Sequence, residues 1–235
     1  MINHITMKKI LFTISAALLF ANCFSQSVTK ITMSESGNIE AFAFEPETNL
    51  MLNISPEGSI KNWGYDVFKE RGAENFQEKL DKYQGNIEYY SDKDNEAFRG
   101  KLKYIGRTLL TYYTAEEAEE FTGRLKSVGT SFIEYYYPYE NEAFRGKLKR
   151  VGNNTVTWYS SFENEASRGK LKSFGSTRIT YYSSSSDKAY MGKVKSINST
   201  AFSYYSSFDK TELRGRMSSS TQILYINGTK FLVKP

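Results

Sequence analysis

Between Leu102 and Phe202 the apolar residues fall in short alternating runs, and the alternation restarts every 23 residues. Leu110, Ile133, Val156, Ile179 and Phe202 occupy one repeating position. Two residues after each stands an aromatic side chain, at Tyr112, Tyr135, Trp158, Tyr181 and Tyr204. Residues two apart on a strand share a face, so these two sets predict one buried face. Thr111, Glu134, Thr157, Thr180 and Ser203 lie between them and predict a polar face. A second aromatic follows each first one, at Tyr113, Tyr136, Tyr159, Tyr182 and Tyr205. Alternation puts these second rings on the polar face, where they are expected to meet solvent.

A second strand is written into the same unit. Gly100, Gly123, Gly146, Gly169, Gly192 and Gly215 open the phrases GKLKYIG, GRLKSVG, GKLKRVG, GKLKSFG, GKVKSIN and GRMSSST. Leu102, Leu125, Leu148, Leu171, Val194 and Met217 point one way; Lys101 and Lys103, Lys147 and Lys149, and Lys170 and Lys172 point the other. Strict alternation would strand Ile105, Val128 and Val151 among the lysines, which predicts a β-bulge or a strong twist at that point. Gly106, Gly129, Gly152, Gly175 and Asn198 follow, residue types that tolerate positive φ in a tight turn.

Each unit therefore reads as a β-hairpin joined to the next by a polar loop such as SSFENEASR. The fold class is all-β, a meander of antiparallel hairpins in an elongated or curved sheet. Twelve or more strands exceed the usual limit of about ten for an open twisted sheet, so curling or closure is expected. The alternative is a β-solenoid with one coil per unit.

The flanks depart from the unit. Residues 221–235 read as a capping hairpin around Asn227-Gly228, a strong two-residue turn signal. Residues 26–84 form a β-rich N-terminal cap with the strand-like pieces ITMS, IEAFAF, LMLNI and SIKNWG. Ala73, Phe76, Leu80 and Tyr83 have helical spacing, but the segment also aligns with the repeat and is read as an eroded copy. Residues 85–220 hold six repeats.

Residues 1–25 read as a secretory signal: Lys8 and Lys9, the apolar run Ile10 to Phe20, then Cys23-Phe24-Ser25 before the cleavage point. The apolar run is well short of the ~20 residues that span a bilayer. A lipid-modified Cys23 is the lesser alternative, because Asn22 stands where a small residue is usual. Export is thus expected, to the periplasm, cell surface or exterior. Cys23 and His4 are the sole Cys and His of the chain, so cleavage would leave neither disulfide nor imidazole. The aromatic content of 15% suits strands and argues against disorder. The net charge of +5, reduced by loss of Lys8 and Lys9, is too mild to imply nucleic acid.

The Tyr-Tyr strand followed by GKLKSxG resembles two repeat types over residues 85–220. One is the YD repeat of bacterial Rhs-type and teneurin shells; the other is the MORN-type repeat in its bacterial variant form. Neither Tyr-Asp nor Asn-Gly precedes the glycine here, and the loop before it is longer. The resemblance implies hairpin repeats serving as scaffold, shell or interaction module.

Candidate chemistry is sparse. Acids recur in the loops at Asp94 and Glu96, Glu117 and Glu119, Glu140 and Glu142, and Glu163 and Glu165. Such pairs can be the acid and base of a glycosidase, but an active site is one asymmetric constellation and these recur in four loops. They are read as a solvated rim, with Arg99, Arg145 and Arg168 placed to pair with the second acid. No cofactor or metal motif is present; the loops lack calcium spacing. The candidate binding face is Tyr113, Tyr136, Tyr159, Tyr182 and Tyr205 beside Lys147, Lys149, Lys170 and Lys172. It would contact a cell-surface polysaccharide or an anionic polymer, unless the lysine stems simply cover the rings. The expected function is a non-enzymatic structural or binding module of the envelope or exterior. An accessory subunit held by another envelope protein is the alternative, and a carbohydrate-active enzyme the lesser one.

Overall fold

The computed structural model describes residues 27–66, 80–219 and 222–235. The signal segment and most of the region with helical spacing lie outside the described residues. In chain order the strands are Val28–Ser34 (β1), Ile39–Glu47 (β2), Leu50–Ile54 (β3), Ile60–Asp66 (β4) and Leu80–Asp81 (β5). The repeats supply Ile87–Tyr89 (β6), Leu102–Ile105 (β7), Thr108–Tyr112 (β8), Leu125–Val128 (β9), Ser131–Tyr135 (β10) and Leu148–Val151 (β11). They continue through Asn154–Trp158 (β12), Leu171–Phe174 (β13), Thr177–Tyr181 (β14), Val194–Ile197 (β15) and Thr200–Ala201 (β16). The last hairpin is Ile223–Ile226 (β17) and Thr229–Lys234 (β18).

β6 to β16 form one sheet of 11 strands in sequence order, each antiparallel to its neighbour. This is the hairpin meander and not the solenoid, whose coils would stack in parallel. The tight turns are two residues long, as between Val151 and Asn154. Gly106, Gly129, Gly152, Gly175 and Asn198 each carry φ between +49° and +59°, the region their residue types were expected to occupy.

The bulge is present in the first five repeats. Glu134 pairs with Arg150 but Tyr135 pairs with Leu148, so Lys149 is the extra residue. The same shift leaves Lys126 and Lys172 unmatched. One inserted residue returns the strand to the core side, which is how Leu148 and Val151, three apart, are both buried. The face set by Leu110, Ile133, Val156, Ile179 and Phe202 is fully buried.

The sheet is the antiparallel hairpin meander expected, and it does not close. Its excess length is handled by a second layer. β1 to β5 and the terminal hairpin form one seven-stranded sheet in the order β17-β18-β1-β2-β3-β4-β5. β1 and β18 run parallel, with Ile31 opposite Phe231 and Met33 opposite Val233. The two terminal segments thus meet in one sheet that lies across the face of the repeats.

Phe42 packs 6.3 Å from the Trp158 ring and 6.2 Å from Phe174. Hydrogen bonds from repeat backbone N–H groups tie the layers along their length: Leu148 N–H to Pro56 O at 2.8 Å, Val194 N–H to Glu35 O at 2.8 Å, and Arg107 N–H to the Glu47 side-chain Oε1 at 3.1 Å. Of the segment read as an eroded repeat, Leu80–Asp81 belongs to this covering sheet, paired with Asp66 and Tyr65. Among the described residues no helix is long and apolar enough to cross a membrane.

Candidate functional site

The aromatic pairs mark the loop edge of the repeat sheet. First rings are buried as expected: Tyr135 is 1% exposed and Trp158 4%. Four of the five reach back across their hairpin to a carbonyl, Tyr112 Oη to Leu102 O at 2.8 Å, Tyr135 Oη to Leu125 O at 2.7 Å, Trp158 Nε1 to Leu148 O at 2.8 Å and Tyr181 Oη to Leu171 O at 2.8 Å. Most buried polar groups keep such a partner; the Tyr204 hydroxyl, in the degraded last copy, has none among the described residues. Burial pushes the Tyr135 and Tyr181 hydroxyls well above the ordinary phenol range.

The second rings are not on an open face, and this corrects the sequence reading. Tyr113, Tyr136, Tyr159 and Tyr182 are half-buried and packed against the core. Each lies one residue past its strand, where the chain turns into the loop. In three of the four the loop then folds an aromatic back onto it: Phe121 lies 5.9 Å from Tyr113, Phe144 4.5 Å from Tyr136, and Tyr190 4.7 Å from Tyr182, while Ser167 takes that place opposite Tyr159. On another side Tyr113, Tyr159 and Tyr182 meet the first ring of the next repeat, as Tyr159 meets Tyr181 edge-on at 5.7 Å. Each hydroxyl donates forward by 20 residues: Tyr113 to Ile133 O at 2.7 Å, Tyr136 to Val156 O at 3.0 Å, Tyr159 to Ile179 O at 3.0 Å and Tyr182 to Phe202 O at 3.0 Å. Burial raises the Tyr136 and Tyr182 hydroxyls above their ordinary value. Tyr205, in the last and degraded copy, is half-buried and has no such forward bond.

The candidate lysines separate into two roles. Lys147 and Lys170 lie over the first rings Trp158 and Tyr181, at 4.7 and 5.2 Å from the centroids. Their ammonium groups donate to Gly169 O at 2.6 Å and Gly192 O at 2.5 Å, one repeat on. Burial lowers both below the ordinary lysine value. Lys149 and Lys172 are the bulged residues. They lie over the second rings Tyr136 and Tyr159 and pair with Glu140 at 2.9 Å and Glu163 at 2.7 Å. The Glu140 hydrogen bond raises Lys149 above its ordinary value. The lysine stems thus cover the rings, at about 0.5–1 kcal/mol per exposed cation–π contact.

The first acid of each loop also has a local task. Glu140 Oε2 accepts Tyr137 N–H at 2.5 Å and Glu163 Oε2 accepts Ser160 N–H at 2.7 Å. Asn141 and Asn164 bind forward to Ser161 and Ser184 in the next loop. Arg145 and Arg168 are exposed and make no ion pair among the described residues, so the expected pairing with the second acid gives way to the lysine pairing. The second acids Glu142 and Glu165 remain exposed.

Two features escaped the sequence reading. The loop aromatics Phe98, Phe121, Phe144 and Tyr190 keep the repeat spacing but sit within polar loops, so no alternation flags them. Tyr139, Phe162 and Phe208 share another position of the same spacing and stand almost fully exposed at loop tips. Among the described residues no group of three or more metal-ligating side chains clusters. Comparison with known protein families, with curated proteins and with solved structures returned no match.

Proposed function

We propose that this chain is an exported, non-enzymatic repeat protein that acts as a scaffold or binding module in the bacterial envelope or outside the cell. The observation that carries the reading is the recurrence of the same forward bonds at each repeat, from second tyrosine to carbonyl and from lysine to glycine carbonyl. Polar side chains that a catalyst would aim at a substrate are here aimed at the next hairpin. The first loop acids cap turns and neutralise lysines in the same repeated way. Such an arrangement favours a rigid, regular surface over a single reacting centre.

Export rests on the Lys8-Lys9, Ile10 to Phe20 and Cys23-Phe24-Ser25 pattern. The resemblance to hairpin shells and interaction repeats points the same way. A second reading, an accessory subunit bound by an envelope protein, is favoured by the β6 edge of the repeat sheet, which pairs with no further strand among the described residues.

Two experiments test the proposal. Mass spectrometry of the native protein should find Gln26 at the N-terminus, and a retained Met1 or Met7 would end the export claim. A glycan array set beside a pull-down from envelope extract should return a specific ligand in one of them. Turnover of a glycoside that is lost on changing a single loop acid would overturn the non-enzymatic reading.

A further inference from the structure

At its first rung the aromatic ladder breaks its own rule. First rings from Tyr112 to Tyr204 are at most 8% exposed, whereas Tyr89 is 53% exposed. The later rungs are capped by the covering sheet. A Cβ on Gly58 would overlap the Tyr135 hydroxyl, a Cβ on Gly37 would overlap the Tyr181 ring, and Phe42 closes over Trp158. Around Tyr112 and Tyr89 the layers part and leave a cavity of about 410 Å³. Trp63 and Glu57 line it from the covering sheet, and Tyr89, Tyr112, Lys101 and Arg124 from the repeats.

The chemistry of this cleft differs from the rest of the ladder. Tyr89 Oη, Trp63 Nε1 and the Glu57 carboxylate have no hydrogen-bond partner among the described residues, while the later tyrosines of the ladder as far as Tyr182 are bonded. Lys101 lies 5.3 Å from the Tyr112 centroid, and Arg124 lies over Tyr135. Both hold one glycine carbonyl, of Gly123 and Gly146, and retain further N–H groups. In the lining two cations stand against one carboxylate, that of Glu57, which also interacts electrostatically with Lys147. Burial lowers the Lys101 ammonium below its ordinary value, so a bound anion would relieve it.

We propose that this cleft binds an acidic sugar, a pyranose bearing a carboxylate at or near the end of a glycan chain. The apolar C–H face of the ring stacks on Trp63 or Tyr89. Glu57, the Trp63 indole and the Tyr89 hydroxyl take the sugar hydroxyls. Lys101 and Arg124 take the carboxylate. The volume falls in the range of small-molecule sites and holds one or two sugar rings. The site builds on the binding-module reading but lies away from the Tyr136–Tyr182 ladder.

The test uses the full mature chain carrying Trp158→Phe, so that Trp63 is the sole indole reporter. Oligogalacturonate, a neutral galacto-oligosaccharide of equal length, and inorganic phosphate are titrated against its fluorescence. Oligogalacturonate should saturate the signal, with neutral sugar and phosphate each at least about tenfold weaker. Tyr89→Ala should weaken the acidic sugar about tenfold, as loss of one stacking contact does. Tyr182→Ala should leave the affinity unchanged, and circular dichroism checks that both variants are folded. Calorimetry on the chain with Trp158 intact repeats the titration should Trp158→Phe fail to fold. Equal affinity for Tyr89→Ala and the parent, equal binding of neutral sugar, binding of phosphate alone, or no saturable binding would each overturn the cleft proposal. Loss of affinity in Tyr182→Ala with Tyr89→Ala unaffected would overturn the cleft while leaving a binding module in place.

Discussion

Tyr182 donates its hydroxyl hydrogen to the carbonyl oxygen of Phe202 at 3.0 Å, 20 residues further along the chain. Phe202 is fully buried, so this bond ties the edge of one repeat to the core of the next. Tyr182→Phe keeps the ring and removes the bond, and should cost about 0.5–1.5 kcal/mol. Tyr181→Ala empties a core position and should cost about 3–5 kcal/mol. Tyr182→Ala should fall between them, because it also loses ring contacts with Tyr190 and Tyr204. Chemical denaturation of the three variants gives the order. A Tyr182→Phe protein as stable as wild type would remove this rung from the account.

Gly175 opens a two-residue turn at φ +55°. A Cβ there would meet Asn154 Oδ1 at 2.7 Å. Backbone strain and contact act together, so Gly175→Ala should destabilise by more than about 1 kcal/mol. At Asn198 the equivalent turn already holds a side chain at φ +49°, so Asn198→Gly changes no backbone strain and should cost about 0.5–1.5 kcal/mol, through loss of the Arg178 N–H bond to Asn198 Oδ1 at 2.8 Å. Unfolding midpoints of the two variants test the contrast.

Alkaline pH should unfold the protein through its buried phenols. The Tyr135 and Tyr181 values are raised by desolvation from the ordinary 10.0. Unfolded tyrosines ionise near that ordinary value while the folded ones stay protonated. Above it the unfolded state binds fewer protons, so stability falls as pH rises. The contribution is complete below pH 10 and is lost progressively above it. Phenolate absorbance should show part of the tyrosine population ionising only together with loss of the β signal in circular dichroism. Smooth ionisation of every tyrosine with the fold intact would contradict the buried ladder.

The covering sheet should fix the number of repeats. Glu35 bonds Val194, Pro56 bonds Leu148 and Glu47 bonds Arg107, so three points on one sheet are matched to three places along the other. Deleting residues 154–176, one full unit, would draw Val194 about 10 Å toward Leu148, the width of two strands. In an open array such a deletion removes only one unit and its interface. Here the Glu35 contact should also fail, and denaturation should show a loss beyond that single unit. Hydrogen exchange at Val194 should show the lost protection directly.

The sequence by itself determined the hairpin unit, the positive φ of Gly152 and Gly175, the burial of Tyr135 and Tyr181, and the need for a bulge near Lys149. Each follows from local rules: which side a residue leaves a strand, and which residue a tight turn accepts. Alternation says nothing of what lies opposite a face or what a loop folds over it. That is why Tyr136 was expected in solvent yet sits beneath Phe144 and Lys149. It is also why the Tyr/Lys set, read as a ligand face, is engaged from repeat to repeat. Only the tertiary structure joined β1 to β18, laid Gly58 on Tyr135 and left Tyr89 uncapped, because those contacts bring together segments far apart in the chain, and no short-range pattern encodes them.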